Sequence, residues 1–217
     1  MGPENEDDER YCLIPRPERV LLIIQPFARL TLAELLPKLS PELKLIVFYQ
    51  ILEGVGALHN ANLFPLVHRD LKPANIGVVA YEAQHKHIAI VILDYGQTIQ
   101  LQPQRPVRGK AGTPGYQAPE MQSELHDISL DIWSCGIIGL RLLVPNWPHA
   151  SNEIKKTDFE IGVAELAAGD QALAQHLIAQ MLAWDPKKRI SASDALFHLC
   201  FASIAKESHS TTLKRSR

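Results

Sequence analysis

From Leu130 to Val144 the sequence runs LDIWSCGIIGLRLLV, fifteen residues in which Asp131 and Arg141 are the only charged side chains. A helix built from such a run is apolar on almost every side, and in water it is stable only where other segments close around it. The remainder of the chain is therefore read as a shell about this hub. With 217 residues, 46% of them hydrophobic, there is enough apolar material for one sizeable core, and a single domain is expected.

Periodicity outlines the shell. Leu43, Val47, Ile51, Val55 and Leu58 recur three or four apart, which predicts one long helix from Ser40 and Pro41 to His59. Thr31 with Glu34 three residues on is a capping box for a short helix that Pro37 closes. Ile76–Val79 and Ile88–Leu93 are short apolar runs around the polar stretch 82–87, the pattern of a β-hairpin, and Tyr11–Ile14 with Val20–Gln25 suggests a second one. Pro103, Pro106, Gly109, Gly112 and Pro114 make residues 100–115 a loop. Helices follow over 171–183 and 193–198, the latter opened by Ser191 and Asp194. The expected class is mainly α, an α+β fold made of a helical bundle with short β-hairpins. Residues 1–10 are polar and acidic and are read as a disordered leader, and residues 201–217 as a disordered tail.

Charge narrows the partners. A net charge of -2 and a pI near 6.5 leave no basic excess for nucleic acid or anionic lipid. The longest apolar runs, Val20–Ile24 and Ile88–Leu93, fall far short of the roughly 20 residues that cross a bilayer. Glu4, Glu6, Asp7, Asp8 and Glu9 invert the pattern of a secretory signal, so the expected location is intracellular, cytoplasmic or nuclear. Cys12, Cys135 and Cys200 are widely spaced and are read as reduced and structural. His85 and His87 would share a strand face, but two ligands on a polar turn are read as solvated.

The chemistry gathers in VHRDLKPANIGV, residues 67–78. Asp70 is an acid, Lys72 a cation nearby and Asn75 a neutral oxygen ligand; with Asp94 across the hairpin, Asn75 could hold a hard cation such as Mg²⁺. A carboxylate, an ammonium and a metal facing one point suit phosphoryl transfer, with Asp70 accepting the proton of an attacking hydroxyl. The plain alternative is that Asp70, Asn75 and Asp94 merely cap turns.

His68, Arg69, Asp70, Lys72 and Asn75 together resemble the catalytic loop of the eukaryotic protein kinases. Asp94-Tyr95-Gly96 resembles the metal-binding D-F-G triplet, and Ala118-Pro119-Glu120 stands as A-P-E. Asp131 and Trp133 resemble the anchor of the family's buried helix, and Arg189 the arginine that pairs with the A-P-E glutamate. Lys72 and the stretch Gly112-Thr113-Pro114-Gly115-Tyr116 resemble the serine/threonine branch. The resemblance covers roughly residues 11–200 and implies a protein-kinase-like large lobe over residues 28–200. It also implies ATP and Mg²⁺ as cofactors, a protein substrate offering a Ser or Thr hydroxyl, Asn75 and Asp94 as metal ligands, and a nucleotide hinge at Gln25 to Phe27.

Departures from the pattern matter as much. Upstream of that hinge the only glycine is Gly2, and the first lysine of the chain is Lys38. A glycine-rich lid and a strand lysine are both absent from this stretch, so residues 11–27 are expected to be a remnant hairpin of a truncated small lobe. A surface left open by that truncation would suit a partner chain. The reading is a Ser/Thr kinase-like chain; the alternatives are a non-catalytic, pseudokinase-type binding module and a fragment of a longer kinase. The loop 97–112 holds a single hydroxyl, Thr98, so switching by phosphorylation there is not expected.

Overall fold

A computed structural model of the chain describes residues 28–104, 106–122, 125–144, 160, 163–164 and 171–204. The expected leader over 1–10, the expected hairpin and hinge over 11–27 with Gln25 and Phe27, and residues 205–217 lie outside the described residues.

The apolar run becomes helix α3, Ser129–Leu143, in which every residue except Arg141 is buried. Around it sit α2, Pro41–His59, and α4, Ala172–Met181, with α1, Leu32–Leu35, and α5, Ala192–Leu196, further out. Close approach in the middle depends on Gly139: a Cβ there would lie 2.7 Å from the Phe48 ring of α2 and 3.0 Å from Ile178 of α4. Any larger residue would push one of the two helices off the hub.

Helix starts follow the chemistry read from the sequence. Glu34 accepts hydrogen bonds from the backbone N–H and hydroxyl of Thr31, at 2.7 and 2.8 Å. Ser40 accepts from Leu43 N–H, and Pro41 needs no donor at the first helical position. Ser191 accepts from Asp194 N–H at 3.0 Å. Pro37 lies inside a 3-10 turn, Leu36–Lys38, that extends α1 before the chain turns away.

Short strands complete the shell. β1 is Leu30–Thr31, β2 Leu66–Val67, β3 Ile76–Glu82, β4 His87–Ile92 and β5 Ile99–Gln100. β3 lies between β1 and β4, antiparallel to both, while β2 pairs with β5. Helix α2 holds the outer edge of β4 through one side chain: Gln50 donates to Ile88 O at 2.8 Å and accepts from Ile90 N–H at 3.1 Å. An amide side chain thus takes the place of the next strand.

The structure corrects several boundaries. β3 runs on through Tyr81 and Glu82, which pair with Ile88 and His87, so the two ends of the polar stretch are strand and the reversal is confined to Ala83–Lys86. His85 falls in that reversal and His87 opens β4, so the two do not share a strand face. The core also reaches past residue 200, the expected start of the tail: Phe201 is fully buried against Phe48 and Tyr49, and Ile204 packs on the same core. A hydrophobic pair separated by some 150 residues carries no local signal, so sequence periodicity ends the core before Phe201. No described helix is long and apolar enough to cross a membrane.

Candidate active site

The site is built on the loop between β2 and β3, and what fixes that loop is Asp131 at the start of α3. Asp131 is wholly buried, and its two carboxylate oxygens accept from Arg69 N–H and His68 N–H, each at 2.8 Å, and from His59 Nε2 at 3.0 Å. One buried acid therefore ties the loop backbone to both central helices. His68 finishes the fastening: its Nε2 donates to Leu93 O at 2.9 Å, so its Nδ1 is free to accept from Asp70 N–H at 3.3 Å. Arg69 is held at φ +67°, a left-handed backbone that a branched or bulky residue resists and that recurs at functional sites.

Asp70, the first residue beyond this clamp, gathers three side chains. Lys72 Nζ donates to Oδ2 at 2.9 Å, Asn75 Nδ2 to Oδ2 at 3.1 Å and to the Asp70 carbonyl at 2.8 Å, and the Thr113 hydroxyl to Oδ1 at 2.7 Å. Lys72 also donates to the Thr113 oxygen at 2.6 Å. Burial alone would raise the Asp70 pKa. The Thr113 and Lys72 hydrogen bonds, the Lys72 charge and the Asn75 amide outweigh it, and the net shift is downward. Asp70 is an ionised acceptor at neutral pH.

Leu93 N–H donates to Asn75 O at 2.8 Å, and this backbone bond brings Asp94 alongside the loop. Asp94 has φ +61°, is exposed, and accepts from Gly96 N–H at 3.3 Å. Both Asn75 donor contacts go to Asp70, which leaves its amide oxygen as the atom able to meet a cation. An amide oxygen beside a carboxylate is a donor set suited to a hard, oxygen-preferring ion such as Mg²⁺. Tyr95 tilts against the His68 ring at 5.2 Å between centroids, and burial raises its pKa.

Of the residues singled out from sequence, Asp70, Lys72 and Asn75 are in mutual contact and Asp94 is adjacent; Gln25 and Phe27 fall outside the described residues. Thr113 was not singled out as a site residue, although it lies in the Gly112–Tyr116 stretch already recognised. His59 and His126 carried no signal at all, being lone histidines whose partners lie far along the chain. His126 Nε2 donates to Met121 O at 3.1 Å, so its Nδ1 accepts from Arg69 Nη1 at 3.2 Å, while Arg69 Nε donates to Gln97 O at 2.6 Å. The Arg69 guanidinium is thereby engaged by the protein itself. Thr98 Oγ1 is buried without a hydrogen-bond partner among the described residues.

Below the site, Glu120 and Arg189 form the expected two-pronged ion pair, with Arg189 Nη2 donating at 2.8 Å and Nη1 reaching the other oxygen. The guanidinium also donates to Ser129 O and Ala183 O and lies 4.9 Å from the Trp133 ring centroid.

A family model described as the protein kinase domain matches residues 11–201. A probable serine/threonine-protein kinase HSL1 of Saccharomyces cerevisiae is 34% identical over 155 residues, 70% of this chain and 10% of that protein. The calcium/calmodulin-dependent protein kinase type II alpha chain of Drosophila melanogaster is 37% identical over 158 residues, and the type II delta subunit of Oryctolagus cuniculus 35% over 158; each alignment covers 69% of this chain and 28% of the relative. The chain spans less than a third of the length of the curated relatives it matches.

Proposed function

Because the chain belongs to the protein kinase family, we propose that it carries the phosphoryl-transfer centre of an ATP-dependent serine/threonine protein kinase, with Asp70 at the reacting hydroxyl. The observation that carries this reading is the Asp70 carboxylate, held by Lys72, Asn75 and Thr113 and kept ionised by them. Asp70 orients the acceptor hydroxyl and takes its proton as the hydroxyl oxygen bonds to the γ-phosphorus of ATP and the bond from that phosphorus to the bridging oxygen breaks, releasing ADP. Lys72, within reach of both Asp70 and the Thr113 hydroxyl, is the cation that meets the transferring phosphoryl group. Asn75 and Asp94 would hold Mg²⁺, which supplies charge neutralisation on the phosphates. Gln25 and Phe27 would form the hinge against the adenine.

A second reading has one observation in its favour: residues 1–37 contain no lysine and only one glycine, so no strand lysine or glycine-rich lid is contributed by that part of the chain. A chain with this composition would hold nucleotide weakly and act as a binding module, or as part of a longer kinase. Phosphoryl transfer from ATP and Mg²⁺ to a serine peptide, run beside nucleotide titration with and without Mg²⁺, separates the readings. The kinase reading expects transfer that falls about a hundredfold or more in Asp70→Asn, and a Mg²⁺ dependence of nucleotide binding that Asp94→Ala removes. Transfer unchanged in Asp70→Asn would overturn the role of Asp70. Absent transfer and absent nucleotide binding would leave the module.

A further inference from the structure

Between Asp94 and Glu120 the chain has no acidic residue, while Arg105, Arg108 and Lys110 all carry positive charge. Such a one-signed stretch is unremarkable on a mobile surface loop, but here the backbone is pinned on both sides. His126 N–H donates to Val107 O at 2.9 Å. Gln117 Nε2 donates to Ala111 O at 2.8 Å and to Gly112 O at 3.0 Å. Gly112, at φ +80°, lies so close to the catalytic loop that a Cβ would stand 2.3 Å from Arg69 O.

Lys110 is two residues from Gly112, so its Cα is within about 7.6 Å of the residue that touches the Arg69 carbonyl; Asp70 is next in sequence. Arg108, Gly109 and Lys110 are exposed, and a Cβ built on Gly109 would meet nothing within 4 Å. Neither Arg108 nor Lys110 makes an ion pair with a described residue. Nearby, Asp70 is matched by Lys72 and Arg69 is engaged by Gln97 and His126, while the exposed Asp127, next to His126, accepts the Ser129 N–H at 2.7 Å. Among the described residues, Arg108 and Lys110 thus place two positive charges without an ion-pair partner on a backbone held at Val107, Ala111 and Gly112.

We propose that residues 107–112 form a cationic rim that selects acidic side chains flanking the acceptor hydroxyl, so that this chain's substrates are acidic peptides. The proposal rests on the phosphoryl-transfer reading of Asp70. Two solvent-exposed ion pairs of ordinary strength correspond to roughly a three- to tenfold preference, enough to rank peptides that share a hydroxyl.

The test uses the full chain and labelled peptides with one central serine flanked by glutamates, by alanines or by lysines. Fluorescence anisotropy is expected to rank glutamate above alanine above lysine, with the spread shrinking as salt rises. Arg108→Glu/Lys110→Glu is expected to reverse the order, and Arg108→Ala/Lys110→Ala to level it. Both changes are at exposed positions, and thermal melting checks that the fold is kept. Equal binding of the three peptides, no binding of any, or a single-stranded oligonucleotide binding as well as the glutamate peptide would overturn the rim. Transfer assays on the same peptides read the underlying proposal separately: selective binding without transfer keeps the rim and sinks the kinase reading, whereas transfer without selectivity does the opposite.

Discussion

Replacing Asp131 should damage the loop that presents Asp70 as well as overall stability. In the native structure its carboxylate is wholly buried and satisfies three donors: His68 N–H, Arg69 N–H and His59 Nε2. Asp131→Ala strands two backbone N–H groups and an imidazole in the core, at about 1–3 kcal/mol for each donor left unsatisfied. The sum over three donors is roughly 3–9 kcal/mol, a large share of the 5–15 kcal/mol that typically holds a domain together. For a chain of this size, at about 2–4 °C per kcal/mol, that corresponds to a fall in Tm of roughly 6–36 °C. Asp131→Asn keeps the shape and one acceptor oxygen but turns a donor toward donors, so its cost should lie between wild type and alanine. Thermal melting ranks the three proteins, and amide hydrogen exchange locates the loss, which should appear first at His68 and Arg69. A Tm within about 2 °C of wild type for Asp131→Ala, or unchanged protection at those two amides, would refute the claim that this acid fastens the loop.

Three further outcomes follow from the same structure. Arg189→Ala leaves the Glu120 carboxylate buried without its counterion and frees the Ser129 and Ala183 carbonyls, and chemical denaturation should show a loss of about 3–5 kcal/mol; a change under about 1 kcal/mol would show the pair to be dispensable. Gly112→Ala combines a positive φ with a Cβ driven onto Arg69 O, so it should cost about 2 kcal/mol or more and displace Thr113 from Asp70, read as lost transfer activity alongside a lower Tm. His198 accepts from Cys200 N–H through Nδ1 and meets His176 through Nε2 at 2.8 Å. Burial, and then the charge of His176, lowers its pKa below the ordinary 6.5. The unfolded chain therefore takes the proton first, so this contribution to stability is whole above pH 6.5 and is lost as pH falls through the folded value. Tm measured from about pH 7.5 to 5 should fall less steeply in His198→Gln than in wild type, and equal slopes would remove His198 from the account.

How much was legible in the sequence depended on whether each signal was local. The hub helix, α2 and the three helix caps were readable because burial on all sides, a stripe at helical spacing and a capping pair each act within one or two turns. The ordered run from His68 to Arg189 was readable for a different reason: each short motif specifies chemistry that tolerates few other residues. What could not be read was whatever joins distant segments. The fastening of His59 and His68 to Asp131, the bond from His126 to Arg69 and the burial of Phe201 against Phe48 each link residues scores of positions apart.

The same division separates what the amino-acid order alone determined from what needed the fold. Composition and spacing determined that one apolar helix must be enclosed, that Asp70, Lys72 and Asn75 share one loop, and that the loop 97–112 is cationic with one hydroxyl. Only the tertiary structure decided that Thr113 completes the shell of Asp70, that Arg69 is already engaged, and that Arg108 and Lys110 stand on a pinned backbone beside the loop that carries Asp70. The physical reason is that charge and periodicity are properties of neighbours along the chain. Hydrogen-bond satisfaction inside a core is a property of neighbours in space, and folding is what makes residues 70 and 113, or 59 and 131, into neighbours.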